Sequence, residues 1–260
     1  MMIKKKHLIE HVRKLISKDF INFGDNDKQF IERIYSQGIN KYKNRLKAIS
    51  FFNHEKILDA GCGFGQWTLS LSELNKEVYA CDYSKKRIKF VNMLKKKLTI
   101  NTLDTKVLAL ENLDYPNNFF DSVFCYGVIF ITDWKKSLRE LFRVLKPGGH
   151  IYVNANDIGW YVNLWITEHN KAKDYDPRKL VSDTFLNTLL YENSNKLLKG
   201  QNLIINQNEF SSEMTKCGFK NLLVEGEGKI RLNKKSPKPK TFFQESYYGL
   251  NGTFEVLASK

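Results

Sequence analysis

Between His54 and Asp157, short apolar runs alternate with helical stretches, and this alternation constrains the fold more than any other feature of the chain. Residues 56–60 read as a strand, 66–74 as a helix and 77–81 as a second strand. Ser84 caps a helix that reaches Leu98, and 105–108 form a weaker third strand. Residues 122–126 are a near-continuous apolar run, the pattern of a strand covered on both faces. Asp133 caps a helix over 134–145; Pro147, Gly148 and Gly149 then stop it and lead into a fifth strand over 150–155. Such alternation implies βαβ units, hence an α/β fold with a parallel sheet.

The flanks read differently. Leu8, Ile9, Val12, Leu15 and Ile16 fall at helical spacing, and a second helical segment is expected over about 28–50. Glu10, Arg13 and Lys14 interrupt any signal-peptide core in the basic N-terminus. After Asp157 the alternation lapses. Residues 159–206 contain aromatic helical pieces and a polar loop; a helix then returns over 209–217, with strands near 221–225 and 252–258 and an exposed basic loop at 233–240. The expected division is an N-terminal helical cap (1–50), a Rossmann-like domain (51–158 and 209–260) and a helical insertion serving as substrate lid (159–208). No apolar stretch approaches the ~20 residues that span a bilayer, so no stable membrane insertion is expected. Cys62, Cys81, Cys125 and Cys217 are widely spaced, with no Cys-x-x-Cys pair. A metal site is therefore not expected, and free thiols of this kind suit a reducing, cytoplasmic setting.

The strongest local signal is Asp59-Ala60-Gly61-Cys62-Gly63-Phe64-Gly65, where the first strand turns into a helix. Glycines there let the backbone turn sharply and approach a ligand beside helix N–H groups. Unlike a dinucleotide-binding loop, this one has its third glycine a residue early and an acid before the first, which suits a cationic ligand group. Asp82 lies seventeen residues past Gly65 at the tip of the second strand, a place where an acid accepts both hydroxyls of a ribose.

These motifs, followed by Leu110-Glu111-Asn112-Leu113-Asp114-Tyr115-Pro116 and Arg143-Val144-Leu145-Lys146-Pro147-Gly148-Gly149, resemble in order the class I S-adenosylmethionine-dependent methyltransferases, in their ubiquinone/menaquinone-methyltransferase-like branch. The resemblance covers about residues 54–157, with a tail over 209–260. It implies a Rossmann-like seven-stranded, mostly parallel sheet of order 3-2-1-4-5-7-6 with helices on both faces, its strand seven antiparallel, and S-adenosyl-L-methionine as cofactor. Carried over by position, Gly61, Cys62, Gly63 and Gly65 would pass under the amino-acid moiety. Asp59 would hold the ammonium, directly or through water, and Asp82 the ribose with Tyr83 against the adenine. Leu110, Glu111 and Asn112 would line the adenine edge, and Tyr126 and Gly127 would face the methionine part. The family often carries an Asp just before its Ala-Glu pair; here Ala109-Leu110-Glu111 stands there instead.

Methyl transfer asks the protein chiefly for alignment, and an oxygen or nitrogen nucleophile also uses a base. Tyr126, Asp157 and His169 are the candidate catalytic groups. Trp160, Tyr161, Trp165 and Phe185 fit two roles, the wall of an apolar substrate pocket or the insertion's own core. The expected activity is methylation of an oxygen, or a nitrogen, of a small-molecule acceptor such as a sugar, quinone or secondary metabolite. The strand-four tip carries none of the prolines of base-amine methyltransferases, nor the Pro-Cys of cytosine-C5 enzymes. The net charge of +14, with basic runs at 85–97 and 229–240, keeps an RNA methyltransferase as the alternative. The charge is otherwise read as a lysine-rich coat on an ordinary enzyme; the part with functional meaning points to an anionic acceptor, with the loop 233–240 as its contributor.

Overall fold

The computed structural model describes residues 5–17, 21–198 and 200–260. In chain order the elements are α1 (Lys5–Ser17), α2 (Asp25–Tyr35), α3 (Asn40–Ala48), β1 (Lys56–Ala60), α4 (Gln66–Ser72), β2 (Glu77–Asp82), α5 (Lys85–Leu98), β3 (Leu103–Val107) and β4 (Phe120–Cys125). A short 3-10 turn (Ile129–Ile131) precedes α6 (Trp134–Val144), β5 (Leu145–Asn156), α7 (Ile158–Thr167), α8 (Pro177–Ser194), α9 (Gln207–Cys217) and β6 (Lys220–Gly226). The two-residue strands β7 (Ser246–Tyr247) and β8 (Leu250–Asn251) form a hairpin before β9 (Thr253–Ser259).

The main sheet has seven strands in the order β3-β2-β1-β4-β5-β9-β6. With the hairpin set aside, this is the expected order, and β9 runs antiparallel to both β5 and β6. Strands β1 to β5 are parallel, as crossover helices require. Their central members are apolar because both faces are covered. Ile57, Leu58, Val123, Phe124, Ile151 and Val153 are all fully buried.

One apolar cluster lies beneath α1–α5 and joins Val12, Ile31, Tyr35 and Leu46 to Trp67, Phe90 and Phe124. The N-terminal helices thus share a core with the sheet. The opposite cluster gathers Leu138 and Leu141 of α6, Phe210 and Met214 of α9 and the other sheet face. It also takes in Tyr191, Leu203 and Ile205 from the 159–206 stretch, tying that segment to the sheet.

Three local expectations need adjusting. The helical segment at 28–50 is two helices, because Gly38 adopts φ +73° and the chain turns between α2 and α3. Helix α6 ends at Val144 and β5 starts at Leu145, before the Pro-Gly-Gly run rather than after it. Lys146 precedes Pro147, and a residue in that position is pushed out of the helical region. The 3-10 turn after β4 has no counterpart in the sequence pattern; it carries Ile131 into the ligand cleft described below. Among the described residues, no helix is long and apolar enough to cross a membrane, and all four cysteines are free.

Candidate active site

Strands β1, β2, β3, β4 and β5 end along one edge of the sheet, and three connected cavities follow that edge. The first, of about 280 Å³, is lined by Gly61, Asp82, Tyr83, Arg87, Leu110, Glu111 and an apolar slot of Val107, Leu108, Val128 and Ile131. A second, of about 380 Å³, continues from Gly61 and Asp82 past Cys62, Gly63, Gln66, Tyr126 and Gly127. A third, of about 570 Å³, lies beyond Trp67, Tyr126, Trp160 and Phe243, which line both it and the second. The first two make a cleft at the carboxyl ends of the strands, where open α/β sheets bind ligands. The third forms a chamber behind an aromatic neck.

The glycine-rich turn shapes the cleft floor. Gly61 sits at φ +79°, and a side chain there would lie 2.5 Å from Val128, so only glycine lets the backbone pass. The amides of Gly61 and Cys62 both donate to the Cys81 carbonyl at 2.8 Å, fastening the turn to β2. Asp82 is buried; its Oδ2 accepts from the Gly63 amide at 3.0 Å and its Oδ1 from the Ser84 amide at 2.8 Å. Arg87 Nη1 lies 3.9 Å from Asp82 Oδ2. Turn, acid and α5 N-terminus are therefore one connected unit at the joint of the two halves of the cleft.

The other expected cofactor residues divide. Leu110, Glu111 and Tyr83 line the first cavity, and Gly127 the second, its amide donating to Asn154 Oδ1 at 2.7 Å. Glu111 Oε1 is already engaged, accepting the amide of Asp133 at 2.9 Å. Asn112 is exposed and lines none of the three cavities, and Gly65 packs against Val91 instead. Asp59 is likewise outside them. Its carboxylate is buried, accepts from Thr68 Oγ1 at 2.6 Å, and has its pKa pushed up to about 7 by burial.

Of the candidate catalytic groups, Tyr126 is held furthest from a basic role. Its hydroxyl donates to Glu227 Oε1 at 2.7 Å, and burial together with that carboxylate raises its pKa well above the usual phenol value. Asp157 caps α7 through the Ile158 amide at 2.6 Å, accepts the Gln207 amide at 3.2 Å, and lines none of the three cavities. His169 lines the chamber, and burial and the nearby Arg33 lower its pKa, leaving it neutral at pH 7. Trp160 stands in the neck with its ring 5.0 Å from Phe243. Tyr161 is core, its hydroxyl donating to the Leu203 carbonyl at 3.0 Å. Trp165 and Phe185 are exposed, and neither lines the cavities.

A buried network that the sequence pattern does not reveal stands behind the neck. Arg45 donates to Glu227, Glu255 and the Tyr152 hydroxyl, and Tyr152 in turn donates to Glu255 at 2.6 Å. Glu227 Oε2 accepts the amides of Phe242 and Phe243 at 2.8 and 3.2 Å. One carboxylate thus fixes both Tyr126 and the backbone that carries the neck's Phe243. The single charged residue within the apolar strand β9, Glu255, was the available sign of a buried ionic partner.

Two buried polar atoms at the boundary between cleft and chamber, Gln66 Oε1 and Trp67 Nε1, have no partner among the described residues. Buried polar groups are rarely left unpaired, so these offer an acceptor and a donor to a ligand. The backbone cradle at Gly61, the apolar slot, the carboxylate at the joint and these two atoms fit a nucleoside carrying an amino-acid tail.

Residues 58–153 match the family profile described as Methyltransferase domain. By that match residues 58–153 are a methyltransferase domain, on the fold of S-adenosylmethionine-dependent methyltransferases. A demethylmenaquinone methyltransferase from Oceanobacillus iheyensis is 33% identical over 113 residues, covering 42% of this chain and 48% of that protein. The chain spans about half the length of such curated relatives. Among solved structures, a geranyl diphosphate methyltransferase in complex with SAM aligns with TM-score 0.60 at 14% identity over 95% of each chain. The cyclase SpnF aligns with TM-score 0.58 at 14% identity over 98% of this chain and 93% of that one. At such identities the likeness is one of fold, and the second neighbour shows the fold carrying a differently named activity.

Proposed function

We propose that the protein transfers a methyl group from S-adenosylmethionine to an oxygen or nitrogen of a small molecule held in the chamber behind the aromatic neck. The observation that carries this reading is the continuity of a nucleoside-shaped cleft with a second, walled cavity. The named activity of the sequence relatives, methylation of demethylmenaquinone, supports a small-molecule acceptor. No observation favours RNA over this reading.

When bound, S-adenosylmethionine would supply an electrophilic sulfonium methyl, with the neutral thioether S-adenosylhomocysteine as leaving group. The residues around the cleft would hold and orient it. Asp82 would accept from the ribose, the Val107, Leu108 and Ile131 slot would take the adenine, and Gly61 to Gly63 would run beneath the tail. Asp59 would influence the ammonium only through intervening groups, because its carboxylate is enclosed with Thr68. Trp67, Tyr126, Trp160 and Phe243 would exclude water and align the acceptor, with Tyr126 fixed by Glu227. His169, beside Arg33 in the chamber and absent from the cleft lining, would face the acceptor's body rather than the atom at the neck. In this reading the N-terminal helices and the 159–208 segment supply chamber walls, through Phe30 and Arg33 on one side and Trp160 and Tyr175 on the other. An acidic acceptor suits the chamber's charge.

Calorimetric titration with S-adenosylhomocysteine tests the reading. Micromolar binding to the wild-type chain is expected, with loss on Gly61→Val, whose side chain would strike Val128. Failure of the wild-type chain to bind would overturn it.

A further inference from the structure

Negative charge is segregated along the three cavities, although the cleft also holds a cation, Arg87, 3.9 Å from Asp82. The carboxylates that line them, Asp27, Asp82 and Glu111, stand in the cleft. The chamber has none among its described lining residues, yet it holds Arg33 of α2, Lys41 of α3 and Lys240 of the 233–240 loop, as well as His169. None of these three cations lines the cleft. Arg33 bonds the neutral Asn170 and rests over Phe30, 5.1 Å from the ring centre. Lys41 lies 5.0 Å from the Tyr42 ring centre and 5.8 Å from that of Phe242. Among the described residues, no carboxylate pairs with any of the three. Burial lowers the pKa of Lys41, and the neighbouring charges of Lys240 and Arg33 lower it further. Gathering like charges against an apolar wall is unfavourable for the empty protein and becomes favourable once an anion lies among them.

We infer that Arg33, Lys41 and Lys240 form an anion clasp in the chamber wall, and that the acceptor is an amphipathic molecule with an acidic head and an apolar or aromatic body. This rests on the methyl-transfer reading and deepens it. Because the clasp lies on the chamber side of the neck, the acidic head anchors the acceptor and is not the atom methylated. The body would lie along Tyr42, Trp67 and Phe242, presenting its opposite end to the cleft. Carboxylate and phosphate share this chemistry.

Calorimetry on the chain saturated with S-adenosylhomocysteine separates the outcomes, with 2-naphthoate, 2-naphthyl phosphate and the neutral 2-naphthalenemethanol as probes. At least one anionic probe is expected to bind about tenfold or more tightly than the neutral one, the scale of a charge-assisted contact. That preference should fall to within about threefold in Arg33→Gln/Lys41→Gln and weaken in Lys240→Gln, whose position on an exposed loop spares the fold. Whichever anion is preferred identifies the head group. In the crystal structure of the complex, its acidic group should sit on the clasp. Equal binding of charged and neutral probes, a preference that survives in the variants, or an acid facing the sulfur would each overturn the inference. So would loss of S-adenosylhomocysteine affinity in the double variant, which would assign the cations to the cofactor's carboxylate. Failure of the methyl-transfer reading is read separately, as absence of S-adenosylhomocysteine binding to the wild-type chain.

Discussion

Asp59 and Asp82 stand near the ends of adjacent strands, and their surroundings divide them. Asp82 opens onto the cleft with two backbone amides aligned on its carboxylate. Its replacement in Asp82→Ala should weaken S-adenosylhomocysteine binding at least about tenfold by calorimetry, the scale of charged hydrogen bonds. Asp59 is enclosed with Thr68, and burial raises its pKa from 3.8 to about 7. The folded chain therefore keeps that proton at pH values where the unfolded chain has lost it. Stability is drained as pH rises from about 4 to 7, each pH step in that window costing roughly 1.4 kcal/mol. Asp59→Asn should accordingly unfold at a higher temperature than wild type at pH 8, with the difference vanishing near pH 4. A constant difference across that range would show that Asp59 is ionised in the fold. The glycine turn and both acids were legible in the sequence because their chemistry is local. The enclosure of Asp59 was not, since it depends on Thr68, one turn into the next helix.

At the scale of elements, the segment between β6 and β9 and the stretch after β5 do more than cover the site. Glu227, just past β6, joins Arg45 of α3, Tyr126 after β4 and the amides of Phe242 and Phe243. Removing the one cation strands two buried carboxylates, a situation that costs ~3–5 kcal/mol. Arg45→Met is therefore expected to lose about that much stability in denaturant unfolding, and an unchanged midpoint would contradict the network. The 159–206 stretch supplies Leu197 and Gly200 to the first cavity and Tyr191, Leu203 and Ile205 to the core. Replacing it with a short linker should abolish S-adenosylhomocysteine binding and cooperative unfolding together. Retention of both would make it a detachable lid. Sequence patterning revealed that this stretch is helical but not where it packs, because its contacts are long-range.

For the whole molecule, the net charge of +14 is a poor guide until the cavities sort it. Most basic side chains of 85–97 and 233–240 line none of the three cavities, and Lys240 is the member of the loop that reaches the chamber. The parallel sheet followed from the alternation of strands and helices, and its strand order from the resemblance those motifs carry. The chamber did not, because its walls come from α2, α3, the start of α4, Tyr126, the start of α7, residues 169–175 and residues 240–243, which only folding brings together. The cleft and the chamber meet at the aromatic neck, and in the proposed function the cofactor fills the one and the acceptor the other. A crystal structure with S-adenosylhomocysteine tests it most directly. The ribose is expected on Asp82, the adenine between Leu108 and Ile131, and the sulfur facing Trp67, Tyr126 and Trp160. A ligand bound elsewhere, or with its sulfur turned away from that neck, would contradict it.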